Sequence, residues 1–247
     1  SWGQNGNEKI GSFGYTTTMT GGNNYSFGAS SNGVIHSGTK PTSLANPDLR
    51  WETSEQLDFG FDSRFFNNSL SFSFDWFKKD TKDMLMERPI PLYVGSGSPL
   101  SNVGTLTNQG IELEVGYKLS VDKVNLSFLA NASYVKNEVA DLAGDDFVLT
   151  ANYSDLGGPL QIMKPGYPMG SFYVYQWKGF DDKGANLYQK ADGSLTTNPT
   201  SDDLVVKGQA SPKWTVGWNN TVTWKNWTLN VFFNAATGYD RLNISRF

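Results

Sequence analysis

Apolar and polar side chains alternate one by one along three stretches of this 247-residue chain. In the first, Leu57, Phe59, Phe61 and Phe65 alternate with Gln56, Asp58, Gly60, Asp62 and Arg64. After Asn67-Asn68 the pattern resumes, with Leu70, Phe72, Phe74 and Trp76 set against Ser71, Ser73 and Asp75. Period two places each set on one face of an extended strand. Asn tolerates the left-handed backbone of a tight turn, so the stretch predicts an antiparallel hairpin over about 53–80. A second hairpin, about 106–136, carries Ile111, Leu113, Val115, Tyr117 and Leu119 against Glu112, Glu114, Gly116 and Lys118, and returns through Val124, Leu126, Phe128, Ala130, Ala132 and Tyr134. A third, about 212–236, turns at Lys225-Asn226 between Trp214–Trp224 and Trp227–Ala235. Ser1-Trp2-Gly3 reads as the tail of a seventh strand.

The segments between the hairpins are long, polar and rich in Gly, Pro, Ser and Asn: 4–51, 81–105 and 137–211. Tight turns therefore fall at one end of the strands and long excursions at the other. Within 137–211 only Phe172–Trp177 is a strong strand candidate, which predicts an excursion outside the sheet rather than further crossings. Bacterial outer-membrane barrels have this asymmetry, with short periplasmic turns and long external loops. The regular runs span about 10 to 13 residues, long enough for a tilted bilayer crossing, whereas globular strands average about five or six. Trp76, Tyr117, Tyr134, Trp214, Trp224 and Trp227 stand at run ends, where an interfacial girdle uses an apolar ring with a polar handle. The expected fold is all-β: a single region, 1–247, forming part of a large antiparallel transmembrane β-barrel with long extracellular loops. Alternation alone fits two rivals as well, a soluble β-sandwich carrying a carbohydrate-binding surface and a secreted glycoside hydrolase.

Composition narrows the chemistry. Twenty Lys and Arg against 24 Asp and Glu leave a net charge of −4, with no basic surplus for nucleic acid. With no Cys and one histidine, His36, the usual zinc sites and thiol nucleophiles are excluded and a catalytic triad is disfavoured. No catalytic residue, metal or cofactor is expected. Gly95-Ser96-Gly97-Ser98 lacks the strand–loop–helix setting of a phosphate loop.

Asp58, Asp62, Arg64, Asp75, Glu112, Glu114 and Lys118 share the polar faces and are expected to line the lumen, chiefly as cross-strand charge pairs. Glu112 and Glu114 sit about 7 Å apart along a strand, a spacing that glycosidases use, but two Glu at i, i+2 are common in strands. Tyr93, Tyr153, Tyr167, Tyr173, Tyr175 and Trp177 are the ligand-binding candidates, with flat faces for sugar rings or peptide side chains.

Four loop segments carry a resemblance. Asn46-Pro47-Asp48-Leu49-Arg50-Trp51-Glu52 resembles the NP-x-L-[KR]-W-E element of SusC/RagA-type TonB-dependent outer-membrane transporters. Asn102-Val103-Gly104, Leu106, Asn108 and Gly110-Ile111-Glu112-Leu113 are similar to that family's entry into a strand. Pro165–Tyr173 resembles its G-x-P-x-G-x-[FY]-[YF] segment, and Ser1–Asn7 its S-[YWF]-G-x-[TS]-G-N. The resemblance implies a Gram-negative outer-membrane barrel of about 22 strands that imports an oligosaccharide or oligopeptide. It implies a SusD-like surface lipoprotein as partner, outer-membrane lipid around the wall, and TonB acting through a plug with no counterpart in these residues. The chain would then be a fragment from the C-terminal half of the barrel. At Tyr188–Gly193 the sequence departs from the family's acidic loop: Lys190 and Ala191 stand where calcium ligands would, so no metal is expected there.

Overall fold

The computed structural model describes residues 1–7, 14–26, 35–42, 44–88, 90–153 and 158–243. The strands, in chain order, are β1 (Trp2–Asn7), β2 (Met19–Thr20), β3 (Tyr25–Ser26), β4 (Ile35–His36), β5 (Lys40–Pro41), β6 (Glu52–Phe65), β7 (Leu70–Lys82), β8 (Leu85–Glu87), β9 (Leu100–Asn102), β10 (Thr105–Val121) and β11 (Val124–Asp141). There follow β12 (Val148–Tyr153), β13 (Gly158–Met163), β14 (Ser171–Phe180), β15 (Asn186–Gln189), β16 (Leu195–Thr196), β17 (Leu204–Lys207), β18 (Trp214–Trp224) and β19 (Trp227–Thr237).

Seven of them form one antiparallel sheet in the order β1-β6-β7-β10-β11-β18-β19, the wall. Residues paired across neighbouring strands share a face, so the register reads out both surfaces. One face carries successive rows: Phe59–Trp76–Ile111–Tyr134–Trp214, then Phe61–Phe74–Leu113–Ala132–Val216, then Ser63–Phe72–Val115–Ala130–Trp218–Phe233. It ends near the tight turns with Leu119–Leu126–Val222–Leu229 and Val121–Val124–Trp224–Trp227. No charged side chain occurs in this band. From Val124 to Tyr134 it covers ten residue steps, about 33 Å of strand, which at about 40° of tilt projects to about 25 Å, the height of a lipid-facing belt.

This face is bare. Phe59 is 65% exposed, Phe233 56% and Trp227 76%, although each carries a large apolar ring. Their contacts are lateral, as in Tyr134–Trp214 (ring centroids 4.8 Å) and Trp218–Phe233 (5.8 Å). A sandwich would cover such rings with a second layer; here the fully buried side chains lie elsewhere. A band this large left open on a folded sheet marks a surface made for an apolar surrounding.

The wall strands reach beyond the alternating runs. β6 starts at Glu52 and β7 ends at Lys82; β10 starts at Thr105, and β11 continues to Asp141. Gln4–Asn7, read from sequence as loop, completes β1 and pairs with Glu52–Glu55. All these extensions are polar on at least one face because they project past the apolar band. The first turn takes in Phe66 as well as Asn67 and Asn68, all three with positive φ, and Tyr117 lies within β10 rather than at its end.

Among the described residues, the 137–211 segment adds no crossing to the wall beyond the end of β11. After the end of β11 it folds into a second sheet, β12-β13-β14-β15-β16 with β17 on the other edge of β14. The core of the molecule lies here, where Val139, Leu142 and Met163 are fully buried with Met84, Val103 and Val148, backed by Met86 and Leu106. Leu106 and Val139 continue the inner-face series of β10 and β11, so the excursion is anchored to the inner side of the wall's upper end. Here "upper" denotes the end bearing the long segments.

Candidate functional site

The inner face of the wall is polar and zoned. From the upper end its rows read Gln56–Lys79–Asn108–Asn137, then Asp58–Phe77–Gly110–Val135, then Gly60–Asp75–Glu112–Ser133–Thr215. Below them come Asp62–Ser73–Glu114–Asn131–Gly217–Asn234, Arg64–Ser71–Gly116–Leu129–Asn219–Phe232, and Lys118–Ser127–Thr221–Asn230. The structure therefore brings Asp58, Asp62, Arg64, Asp75, Glu112, Glu114 and Lys118 onto one face of β6, β7 and β10. Five carboxylates fill three consecutive rows, with Lys79 above and Arg64 and Lys118 below; β11, β18 and β19 continue the rows with Ser, Thr, Asn, Gly and a few apolar residues.

Like charges directly opposite one another destabilise a strand pair, and Asp75 stands opposite Glu112. The two lean apart. Asp75 lies over Gly60 on β6, where an added Cβ would come within 2.0 Å of its Oδ1. Glu112 turns the other way and accepts a hydrogen bond from Ser133 Oγ on β11 (3.3 Å). Asp62 accepts from Ser73 Oγ (2.5 Å). Gly110 does for Phe77 what Gly60 does for Asp75, and Gly217 receives Asn131. Glycines thus let inner-face side chains lie flat along the wall. Glu112 and Glu114 border a shallow hollow of about 240 Å3 with Asn131 and Ser133.

At the upper end the motif residues form a hydrogen-bonded collar. Asn102 Oδ1 accepts from Arg50 N (2.8 Å), while its Nδ2 donates to Arg50 O and Asp83 O (both 2.8 Å). Asn46 Nδ2 donates to Leu100 O (2.9 Å), and Glu52 accepts from Leu85 N (3.1 Å) and Asn7 Nδ2 (3.3 Å). Asn137 links wall to excursion by donating to Asn108 Oδ1 (2.6 Å) and accepting from Met169 N (2.7 Å). The Pro165–Tyr173 turn docks beside it, with Gly166 N donating to Val139 O and Val139 N to Tyr167 O. Because Asn102 closes three bonds on two segments, Asn102→Ala is expected to cost the protein about 1–3 kcal/mol and to raise hydrogen exchange at Arg50, whose amide it holds.

The aromatic candidates divide. Tyr173, Tyr175 and Trp177 alternate along β14 on one face, where the pairing adds Tyr188, Leu204 and Val206. Tyr175 meets Tyr188 edge-on (6.0 Å), Trp177 meets Phe180 (5.4 Å), and Trp177 Nε1 donates to Asn186 Oδ1 (3.1 Å). Tyr167 lies in the docked turn and borders an open cleft of about 460 Å3 with Lys207, Lys213 and Tyr239. Tyr93, 89% exposed, stands apart in the 3-10 turn Leu92–Val94. The backbone of Tyr153 ends β12; its side chain lies outside the described residues. Tyr188 was missed in the sequence because β15 is only four residues long.

The hairpin after Lys190 is fixed by Asp203, which is buried and accepts from Thr200 N (2.9 Å), Thr200 Oγ1 (3.1 Å) and Ala191 N (3.1 Å). The Thr200 amide, foremost among these, holds the Asp203 carboxyl below the usual carboxylate range. A depressed folded value gives stability that is complete above the unfolded carboxylate pKa and is lost as pH falls through the folded one. Asp203→Asn is expected to remove this acid dependence and to raise hydrogen exchange at Ala191 and Thr200 at neutral pH. Among the described residues, no group of three or more His, Cys, Asp or Glu is arranged to hold a metal.

Comparison with known proteins places this architecture. Residues 10–244 match the family described as TonB dependent receptor-like, beta-barrel. TonB-dependent receptor P3 of Formosa agariphila is 35% identical over 221 residues, 82% of this chain and 22% of the relative. TonB-dependent receptor SusC of Bacteroides thetaiotaomicron is 27% identical over 252 residues, 95% of this chain and 24% of the relative. The structure of the RagAB peptide transporter matches with a TM-score of 0.81 at 28% identity, covering 96% of this chain and 26% of that one. This chain therefore spans about a quarter of the length of these relatives. It belongs to the TonB-dependent receptor β-barrel family, as a segment of outer-membrane barrel wall with its external loops.

Proposed function

We propose that this chain supplies wall and external loops to a receptor that imports a nutrient, an oligosaccharide or an oligopeptide, across the outer membrane with energy from TonB. The observation that carries the reading is the two-faced, single-layer wall: an uncharged outer belt backed by a charged and amide-rich inner face, with the excursion rooted on the inner side of the upper end. A sheet of this kind separates lipid from a wet passage. The kinship with SusC and with a RagAB peptide transporter supports import, and RagAB's two-component name supports a surface lipoprotein of the SusD kind as partner.

In this reading the inner-face charges line the passage, and the Tyr173–Tyr175–Trp177–Tyr188 stripe offers flat apolar faces to ligand or lipoprotein at its mouth. Trp177 is half in solvent and is the most available ring of the four. In cells whose growth depends on the full-length receptor, Trp177→Ala is expected to weaken ligand binding roughly tenfold with barrel assembly intact, the loss of one stacking anchor. Binding screens against glycan and peptide libraries then decide the ligand class. Unchanged binding by Trp177→Ala together with Tyr175→Ala removes the aromatic stripe from the ligand path.

A further inference from the structure

The outer face changes character in a single step at the top of the apolar band. Its last uncharged row is Phe59–Trp76–Ile111–Tyr134–Trp214, and the next row reads Trp2–Leu57–Lys78–Gln109–Lys136. Lys78, Gln109 and Lys136 stand side by side on β7, β10 and β11. With strands about 4.8 Å apart, the two lysines are rooted about 10 Å from one another with an amide between them. They are the first charges met on leaving the band, and both are positive.

The following row, Glu55–Asp80–Thr107–Glu138, is acidic. Lys78 Nζ lies 3.1 Å from Asp80 Oδ2 and Lys136 bonds Glu138, so both ammonium groups are drawn up and away from the rings below, the direction in which a membrane lysine snorkels. Each ammonium has three protons and spends one on its carboxylate. Their side chains remain 44% and 52% exposed. Above the carboxylates, Lys82 is tied to Glu55 (2.7 Å).

We infer that Lys78, Gln109 and Lys136 form a site for the phosphate of an anionic lipid in the outer leaflet. The acyl chains of such a lipid lie along Phe74, Ile111 and Trp214, and its phosphate meets the donor row two residue steps above the last aromatics. The acidic row decides the source of the anion. A free phosphate arriving from solvent must pass Glu55, Asp80 and Glu138, whereas a lipid phosphate reaches the lysines sideways from the membrane. Cationic residues beside a bilayer gain about fivefold in binding apiece from anionic headgroups.

The test uses the full-length receptor in detergent, stripped of lipid and examined by native mass spectrometry with bisphosphorylated lipid A, its dephosphorylated counterpart, or inorganic phosphate. The expected result is retention of the phosphorylated lipid in preference to the dephosphorylated one. Lys78→Gln combined with Lys136→Gln should cut that retention roughly twentyfold, and Lys78→Arg with Lys136→Arg should restore most of it. Equal retention of the two lipids by the unaltered receptor, which needs no variant to fold, removes the phosphate site while leaving the lipid-facing band intact. Undiminished retention by the folded glutamine variant, or displacement of the lipid by inorganic phosphate, also overturns it.

Discussion

Arginine in place of Ala130 is expected to destabilise the full-length receptor by about 2–4 kcal/mol in a bilayer, while arginine in place of Asn131, one residue along the same strand, stays within about 0.5 kcal/mol. Ala130 belongs to the row Ser63–Phe72–Val115–Ala130–Trp218 near the middle of the apolar band, and Asn131 faces Glu114 on the inner side. Both positions are exposed, so packing loss is small in each case and the difference isolates what surrounds the two faces. Around a soluble sheet with open faces, the two changes would cost the same. Equilibrium unfolding in urea from lipid vesicles reads the difference directly.

The second large effect falls at Gly104, which has φ +74 and faces the backbone so closely that an added Cβ would sit 1.9 Å from Asp141 O. Gly104→Val meets both the left-handed strain and that collision, and is expected to cost about 2–4 kcal/mol. The damage should concentrate where Met84, Val103, Val139 and Leu142 pack together, loosening the excursion before the wall. Gly166 provides the contrast: its φ of +82 is similar, but nothing lies within 4 Å of an added Cβ, so Gly166→Ala should cost only the backbone penalty, about 1 kcal/mol. Limited proteolysis and thermal melts of the two variants separate collision from strain.

Lipid and water on opposite sides of the wall make the sequence legible in some places and opaque in others. Ile111, Leu113 and Val115 could be read as one face because lipid on one side and water on the other impose a strict alternation. Above the band both sides are wet, and the signal fades. Thus the start of β10 at Thr105 and the end of β11 at Asp141 leave little trace in pattern, and Asn5-Gly6-Asn7 looks like loop although it pairs with β6. The excursion is harder still. Its core gathers Met84, Val103, Val139 and Met163 from four separate places, none of them in an apolar run longer than three residues. Of its strands only β14 was visible, through Phe172–Trp177. The motifs marked a family before their work was apparent: Asn102 and Asn108 are hydrogen-bond bridges, Gly104 a close approach, Gly110 a seat for Phe77. The zoning of the inner face depends on register, which places Asp75 beside Glu112 and gives each a different way out.

The orientation of the wall can be measured directly. The segment contains no cysteine, so single cysteines at 112 through 115 and at 216 through 219, in a full-length receptor with any cysteine elsewhere replaced, can carry a spin label in lipid vesicles. Labels at Leu113, Val115, Val216 and Trp218 should be reached by oxygen dissolved in the membrane, and those at Glu112, Glu114, Gly217 and Asn219 by a water-soluble nickel chelate, alternating residue by residue. The reverse alternation, or positions 113, 115, 216 and 218 closed to both reagents, would mean that the aromatic face is turned inward and the wall does not border lipid.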